Sequence, residues 1–437
     1  MANISQMQGS GLSTAGEISI KAINISDSAG NRTYSIFPTF LELDIYEDLY
    51  APCLTGTVTI VEASNLISTV PIIGEELLNV EFVTPGLGES AIVKKTFYIT
   101  KVEDRTIKGD KANAYVLHFI SVEGLNDLST KLSQAYEGNA ADIIKQIFTE
   151  ELMEDDPIEI ESADNHIKFV APFWSPFQCI NYAATRCIKQ NSTINIPNYL
   201  FYQTLHGFKL KSLSSLFNQQ PWITYYFDKS PARMHRVGGS TRDIVREYQT
   251  IIRLDFIKSQ DYIDQTLRGA FTHTVFGVNM LRKQIAKRSY NYINDFGKTP
   301  HLDKYPLNSN NLIVDSKNHG LIDTRLVAPQ LFNGVGDKAD DIIAKRIALI
   351  NQVEIFKLDV VAWGMSDIEV GNVVYFKMNE YKEVDQDEIQ EPNYDRYYSG
   401  KYLITAIQHR ITQSRHQMTM QIVKDSMLNQ IDFNRAG

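Results

Sequence analysis

Cysteine is scarce in this sequence, and long apolar runs are absent. Three cysteines in 437 residues are too few, and odd in number, for a disulfide framework, so they favour a reducing compartment. No window approaches the ~18 consecutive apolar residues of a membrane helix, so we expect no membrane span. The first residues carry neither a basic nor an apolar stretch, and we expect a flexible arm over 1–16, not a secretory signal.

The sequence also lacks the short motifs that carry known chemistries. It has no nucleophile elbow, zinc-protease helix, phosphate loop or dinucleotide fingerprint. None of the nine histidines is paired at metal-ligand spacing; His409 and His416 face each other across a turn, where we expect an exposed hairpin. We therefore predict no catalytic, cofactor-binding or metal-binding residues, and no enzyme activity.

Neighbouring carboxylates are the remaining candidates for catalysis, because a pair of them can hydrolyse a glycosidic bond. They occur at Glu75–Glu76, Glu154–Asp156 and Asp340–Asp341. All three fall in predicted turns or at helix ends, where acidic side chains face water or the positive end of a helix dipole. A cell-wall hydrolase is therefore the weaker alternative.

Basic residues are outnumbered, 43 to 52, which gives a net charge of −9. Proteins that bind nucleic acid by neutralising phosphates are usually basic, so the balance argues against that class. One basic stretch interleaved with tyrosines comprises Arg282, Lys283, Lys287, Arg288, Tyr290 and Tyr292. In an acidic chain we interpret it as a solvated face or a contact for an acidic partner, with nucleic-acid contact as the alternative.

Alternating apolar and polar residues are plentiful, with 22 Tyr and 21 Phe. Such runs predict β-strands before residue 130 and again after Val353, where a barrel or sandwich is the natural arrangement. Between them the pattern predicts helices at 139–152 and 337–352. A third helix is predicted after Ser175, which is an N-cap followed by Pro176 and by the capping-box residue Gln178. A long polar loop is expected at 292–311.

Four strand-like segments recur in the same order in the two β-rich regions, which suggests a duplicated domain. Residues 95–104 correspond to 400–409, with Phe97 matching Tyr402, and residues 115–121 correspond to 417–423. The repeat positions are Gly74, Ile99, Thr100 and Val102 in the first copy and Gly371, Ile404, Thr405 and Ile407 in the second. We expect both glycines to adopt backbone conformations that other residues resist, at the entry to a strand.

Three segments spread along the chain resemble the central hub proteins of contractile phage baseplates of the T-even type. They are WSPFQCINYAATRC at 174–187, NYLFYQTLHGFKLKSLSSL at 198–216 and GKYLITAIQHRITQSRHQMTMQIVKDSM at 400–427. The resemblance extends over about residues 40–428. The acidic insertion at 379–399 and the loop at 292–311 depart from the family.

The resemblance implies a β-rich α+β, multidomain fold with two tail-tube-like β-barrel or sandwich domains and interposed α+β domains. The domains would be a first tube-like domain at 17–128, an α+β domain at 129–220, an intervening domain at 221–352, a second tube-like domain at 353–428 and a tail at 429–437.

The same resemblance implies a virion protein of the tail baseplate, assembled in the host cytoplasm. It would form a homotrimeric ring that adapts the six-fold tail tube to the three-fold spike. Its partners would be the spike protein, the tail tube or tube-initiator proteins, the tape-measure protein and surrounding baseplate proteins. DNA would pass through without specific binding. Apart from the resemblance, Glu75, Glu76, Glu81 and Glu103 are candidate acidic surface positions. A tail-tube initiator or another tube-like protein is the alternative.

Overall fold

A computed structural model describes residues 14–27, 32–63, 72, 74–108, 112–152, 157–189, 197–227, 243–259, 261–307, 321–327, 339–379 and 394–430. The sequence-based expectations for the arm up to residue 13, Glu154–Asp156, most of the acidic insertion and the last residues of the tail lie outside these ranges. Within them the chain is built mainly of β-strands with shorter helices between, which confirms the predicted β-rich α+β class.

The first β-unit is an antiparallel sheet with alternating buried and exposed side chains. Its strands are β1 (Ser19–Ser26), β2 (Thr33–Ser35), β3 (Phe40–Asp48), β4 (Thr55–Glu62), β5 (Leu77–Val83), β6 (Val93–Lys108) and β7 (Ala112–Ser121), with a 3-10 turn at Glu89–Ala91. β3 pairs with β4, β4 with β7, β7 with β6, β6 with β5, and β5 with β1. Alternation directs one face of each strand to a common apolar core, as expected for a half-buried sheet.

A compact α+β region follows. Its elements are α1 (Val122–Ser129), β8 (Ala135–Asn139), α2 (Ala140–Glu151), β9 (Ile158–Ile160), β10 (His166–Val170), α3 (Pro176–Ala184), β11 (Tyr199–Thr204), β12 (Gly207–Ser212) and α4 (Leu213–Phe217). The predicted capping box is confirmed: Ser175 Oγ accepts from the Gln178 backbone N–H, and the Gln178 side chain accepts from the Ser175 N–H. Helices α2 and α3 pack together over a core rich in aromatic rings, where Phe201 stacks on Phe208 and Phe148 meets Phe208 edge to face.

The next region carries a small, separate sheet. Its elements are β13 (Thr224–Phe227), α5 (Ile244–Tyr248), β14 (Arg253–Lys258), α6 (Tyr262–Leu267), β15 (Thr272–Asn279), β16 (Gln284–Asn291), α7 (Tyr292–Phe296), β17 (Tyr305–Pro306), β18 (Leu321–Leu326) and α8 (Ala339–Val353). β15 lies between β16 and β18, and α8 packs on one face of this sheet. The expected polar loop at 292–311 is wrong in its first part, because α7 begins at Tyr292 and the following residues bury Leu302 and Leu307.

The second β-unit completes the fold. It comprises β19 (Phe356–Trp363), β20 (Val373–Met378), β21 (Gly400–Ile411), β22 (His416–Lys424) and β23 (Ser426–Met427). Apart from β23, which pairs with β17 in a two-stranded sheet, the strands of both β-units belong to one sheet of 13 strands. Their order is β14-β19-β22-β21-β3-β4-β7-β6-β5-β1-β2, with β20 pairing to β21 and β13. The units therefore meet strand to strand at β21 and β3.

Candidate functional site

The two β-units pair their strands in the same way. In the first unit β4 pairs with β7, β7 with β6 and β6 with β5; in the second β19 pairs with β22, β22 with β21 and β21 with β20. Every one of these pairs is antiparallel. The strands that recur in the same order along the sequence therefore also pair with each other in the same order. A chance likeness between two alternating segments would not require this agreement.

A β-bulge lies at the same place in both units. The register shifts between Ile99 and Lys101 in β6, and between Ile404 and Ala406 in β21, so the bulged residues are Thr100 and Thr405. The Thr100 hydroxyl donates to the backbone oxygen of His118 at 3.2 Å, and the Thr405 hydroxyl donates to that of Gln421 at 3.3 Å. Each acceptor is the pairing partner of the residue after the bulge, so the local geometry is repeated along with the order.

The strand entries repeat with a difference of one residue. The Ile99 N–H donates to the Glu76 oxygen at 2.9 Å, and the Ile404 N–H donates to the Asn372 oxygen at 3.0 Å. Gly74 lies two residues before Glu76, whereas Gly371 lies one residue before Asn372, so the two glycines are one position out of step. Both have positive φ, +103° and +85°, which confirms the expected backbone conformation.

Gly371 is held more tightly than Gly74. A Cβ atom at Gly371 would lie 2.6 Å from the Tyr202 hydroxyl oxygen, while at Gly74 the nearest atom would be the Ile99 oxygen at 3.8 Å. The α+β region thus packs directly against the entry to β20.

A fifth strand belongs to each unit, and we did not identify it from the sequence. β3 pairs with β4, and β14 pairs with β19 in the same antiparallel sense. Through these registers, Leu43 corresponds to Leu254 and Asp44 to Asp255. The sequence signal for the correspondence of β3 with β14 is short: FLELDIY at 40–46 resembles IIRLDFI at 251–257.

The join between the units consists of β3 and the second half of β21. Residues 43–48 pair antiparallel with 406–411. Across the join, Arg410 Nε lies 3.2 Å from Asp44 Oδ1 and 3.3 Å from Glu42 Oε1. The hydrogen bond that Arg410 donates to the Asp44 carboxylate is the main cause that raises the pKa of Arg410. The ion pair and the strand pairing together hold β3 of the first unit against β21 of the second.

Glu47 lies at the centre of this join and is 1% exposed. Its Oε1 accepts from the Leu205 N–H at 2.8 Å, in the turn between β11 and β12, and its Oε2 accepts from the Val370 N–H at 2.9 Å. One carboxylate on β3 therefore satisfies backbone donors from the α+β region and from the second β-unit. A buried carboxylate is stable only with such partners.

The two histidines expected on an exposed hairpin are instead buried, so that expectation is wrong. His409 and His416 are both 0% exposed, with Nδ1 of the first 3.1 Å from Nε2 of the second. His409 Nε2 faces Glu47 Oε1 at 3.7 Å. Burial, and then the neighbouring His409, hold the pKa of His416 well below its ordinary value. They are buried because β3 and Phe82 of the first unit cover this end of the hairpin.

A second buried polar cluster ties the intervening region to the end of β22. Lys424 Nζ lies 3.1 Å from Asp303 Oδ2, and His301 Nδ1 lies 2.7 Å from Asp425 Oδ2. Burial disfavours both charged forms, because it lowers the pKa of Lys424 and raises the pKa of Asp303. Each charged group is therefore stabilised by its oppositely charged partner. The loop after α7 is fastened to the second β-unit through these pairs.

The candidate acidic positions are not alike. Glu75 is exposed, while Glu81 is partly exposed and lies 3.7 Å from Lys21 Nζ. Hydrogen bonds from Lys101, and then from His118, lower the pKa of Glu103. Glu76 is 5% exposed and accepts from the Gly74 N–H, so it is a buried cap and its assignment to the surface is wrong.

The basic stretch forms the hairpin of β15 and β16. Arg282, Lys283 and Lys287 are exposed, whereas Tyr290 and Tyr292 are 2% and 0% exposed. The tyrosines cannot stack on nucleotide bases, which removes the feature that suggested nucleic-acid contact. Among the described residues, no three His, Cys, Asp or Glu side chains are grouped as a metal site, and no helix has the length and apolar character to span a membrane.

No protein-family model matches the chain, and no curated protein matches it. Several solved structures match it over nearly its whole length, among them two tail proteins. The tail protein from Neisseria meningitidis MC58 is 12% identical, with 93% of this chain and 97% of that chain covered and a TM-score of 0.52. The 43 kDa tail protein of prophage MuSo2 from Shewanella oneidensis is 9% identical, with 93% and 99% covered and a TM-score of 0.54. At these identities the likeness shows the fold alone, and it confirms the resemblance to tail proteins.

Proposed function

We propose that the chain is a structural virion protein, the central hub of a contractile-tail baseplate. The observation that carries this proposal is the join of two equivalent β-units, strand to strand, in one sheet. The shared fold with two tail proteins supports the setting. In the particle the chain would lie in the tail baseplate, after assembly in the host cytoplasm.

The duplication gives the proposal its physical basis. A ring of three such chains presents six similar β-units, because each chain contributes two. Such a ring can meet a six-fold tail tube or tube initiator on one side and a three-fold spike on the other. The regions at 129–220 and 221–352, apart from β13 and β14, which belong to the large sheet, would then lie outside the ring of 17–128 and 353–428 units, within reach of surrounding baseplate proteins.

The channel of this ring would carry the tape-measure protein and the DNA. Three chains at −9 give 3 × −9 = −27, a charge that repels phosphates. Of the candidate acidic surface positions, Glu75, Glu81 and Glu103 are our candidates for the channel wall, and Glu76 is left out because it is buried. DNA would pass without specific binding.

Two alternatives are weaker. A tail-tube initiator would form a six-membered ring with one β-unit per chain, and this chain has two. A cell-wall hydrolase needs two carboxylates facing a cleft, but Glu76 of the Glu75–Glu76 pair is engaged by the Gly74 N–H.

Light scattering on the purified full chain, followed by electron microscopy, tests the proposal. We expect a trimer whose end view has six similar lobes around an open centre. A stable hexamer would favour the tube alternative. Clearing of peptidoglycan in a gel assay would contradict the non-enzymatic assignment.

A further inference from the structure

The small sheet of β16, β15 and β18 has a helix on its inner face. α8 packs there against β15 and β16, and Gln352 of α8 lies 3.4 Å from the Tyr290 hydroxyl. His273, Val275 and Tyr290 point toward this helix and are at most 2% exposed. Because side chains alternate along a strand, the residues between them point to the opposite side of the sheet, which we call the open face.

The open face is apolar and exposed. The pairing registers bring five of its side chains to one side of the sheet: Phe276, Val278, Ile285, Ile322 and Leu326. Ile285, Ile322 and Leu326 are 71%, 54% and 74% exposed. Val278 lies opposite Ile285 on one side and Leu326 on the other, so these three form a continuous patch. Contiguous exposed apolar patches of this kind mark sites of interaction with other proteins.

The strand directions indicate that a layer belongs on the open face. β15 and β18 pair parallel, and parallel strands are usually packed on both faces, because helices cover each of them. α8 supplies this layer on the inner face. The exposure of Ile285, Ile322 and Leu326 shows that, in the described part of the chain, the open face lacks one. A second helix is the element that would complete the sheet.

The charge at the open face has one sign. Lys287 points from this face, and Arg282 and Lys283 lie in the turn at its end; all three are exposed. Asp323 is the one acidic residue of the three strands, and it points to the inner side, where it accepts from Arg325 at 2.9 Å. In a chain of net charge −9, this local excess of positive charge is complementary to an acidic partner.

We propose that the open face binds an amphipathic helix of a neighbouring baseplate protein. The helix would lay an apolar stripe on the patch and place acidic side chains beside Lys287, Arg282 and Lys283. This inference rests on the proposed function, which supplies the neighbouring protein, and it assigns one contact of the 221–352 region. It also gives the basic hairpin of β15 and β16 an acidic partner.

Two designed peptides test the chemistry of the face. β15 has 8 residues and spans about 27 Å, a length that a helix of about 18 residues matches. The acidic peptide carries leucines at helical spacing flanked by glutamates, and the basic peptide carries lysines in place of the glutamates. Fluorescence anisotropy with the full chain should show saturable binding of the acidic peptide and about tenfold weaker binding of the basic one. The overall charge of −9 favours the opposite preference, so this result would report the local face.

Three variants locate the binding. Leu326→Glu should weaken binding of the acidic peptide about tenfold or more, because it places a carboxylate in the patch. Lys287→Glu should weaken the acidic peptide and strengthen the basic one, because it reverses a charge beside the patch. Leu128→Glu is the matched control, since Leu128 is 67% exposed on α1 in the α+β region, and it should leave both affinities unchanged. Circular dichroism should show the same fold for all three.

A photo-cross-linking residue in place of Leu326 tests the face in assembled tails. Mass spectrometry should identify a cross-linked segment of another baseplate protein, with apolar residues at helical spacing and acidic residues between them. A cross-link to a second copy of this chain, a cross-link to a basic segment, or no cross-link would overturn the proposal. Sedimentation of the chain with phosphatidylserine vesicles, abolished by Leu326→Glu, would also overturn it, because the face would then be a membrane contact.

The outcomes separate this inference from the hub proposal. If the unaltered chain is a trimer with six lobes but binds both peptides equally, or neither, the docking face is wrong and the hub proposal stands. If Leu326 and Lys287 govern binding of the acidic peptide but the chain forms a stable hexamer, the face stands as a site for acidic helices. In that case the hub proposal is wrong, and the assigned source of the helix falls with it.

Discussion

The Glu47 carboxylate on β3 accepts a hydrogen bond from the Val370 N–H across the join between the two β-units, at 2.9 Å. Its other oxygen accepts from Leu205 in the α+β region. Three parts of the chain that lie far apart in the sequence are therefore fixed by one side chain. A carboxylate suits this position because it has two acceptor oxygens, and each oxygen accepts from a different segment.

Replacing Glu47 with Ala should lower the free energy of unfolding by about 3–5 kcal/mol, because two buried N–H donors lose their acceptor. Glu47→Gln should lower it by about 1–3 kcal/mol, since the amide retains only one acceptor oxygen. Urea unfolding followed by circular dichroism measures both. Glu42→Gln on the same strand, whose carboxylate is 36% exposed, is the control and should change little. Equal effects at the two positions would contradict this role for Glu47.

Gly371→Ala should destabilise the chain by about 2–4 kcal/mol, because positive φ and contact with the Tyr202 hydroxyl both oppose a Cβ atom. Gly74→Ala has the backbone cost alone and should lose about 1 kcal/mol. Thermal unfolding of the two variants measures the difference. In a Tyr202→Phe background the cost of Gly371→Ala should fall, and an unchanged cost would show that the hydroxyl is not the obstacle.

His416 should make stability depend on pH in a known direction. Its pKa in the folded chain lies well below the ordinary value of 6.5, so between these values the unfolded chain binds more protons. The contribution of His416 to the free energy of unfolding is therefore complete above about pH 6.5. It is lost as the pH falls, at up to about 1.4 kcal/mol per pH unit. The groups facing it through the pair are His409 and, beyond it, Glu47.

The measurement is the free energy of unfolding from pH 7.5 to pH 5.5 for the unaltered chain and for His416→Gln. The unaltered chain should lose about 1 kcal/mol more than the variant over this range. The pKa of His273 is also lowered by burial, but that residue is common to both proteins and cancels in the comparison. Parallel curves would contradict the assignment.

Several elements could be predicted from the sequence because their causes are local. The helix after Ser175 carries its start signal in three neighbouring residues, and the strands of both β-units carry a period of two. The order of four repeated strands was visible for the same reason. The register of the repeat could not be predicted in this way. The sequence matched Tyr115 with Gln417, whereas the strand pairing matches Leu117 with Met420, which shifts the second segment by one residue. A slip of one residue exchanges buried and exposed faces, and each bulge adds such a slip.

The sequence by itself determined the β-rich class, the helix starts, the glycines that need positive φ and the existence of a repeat. Only the tertiary structure decided that β14 is the fifth strand of the second unit, because that strand is about a hundred residues from its partner β19. It also decided that Glu76, His409 and His416 are buried. Burial depends on which distant segment covers a residue, and at this join the covering strand, β3, comes from the other β-unit.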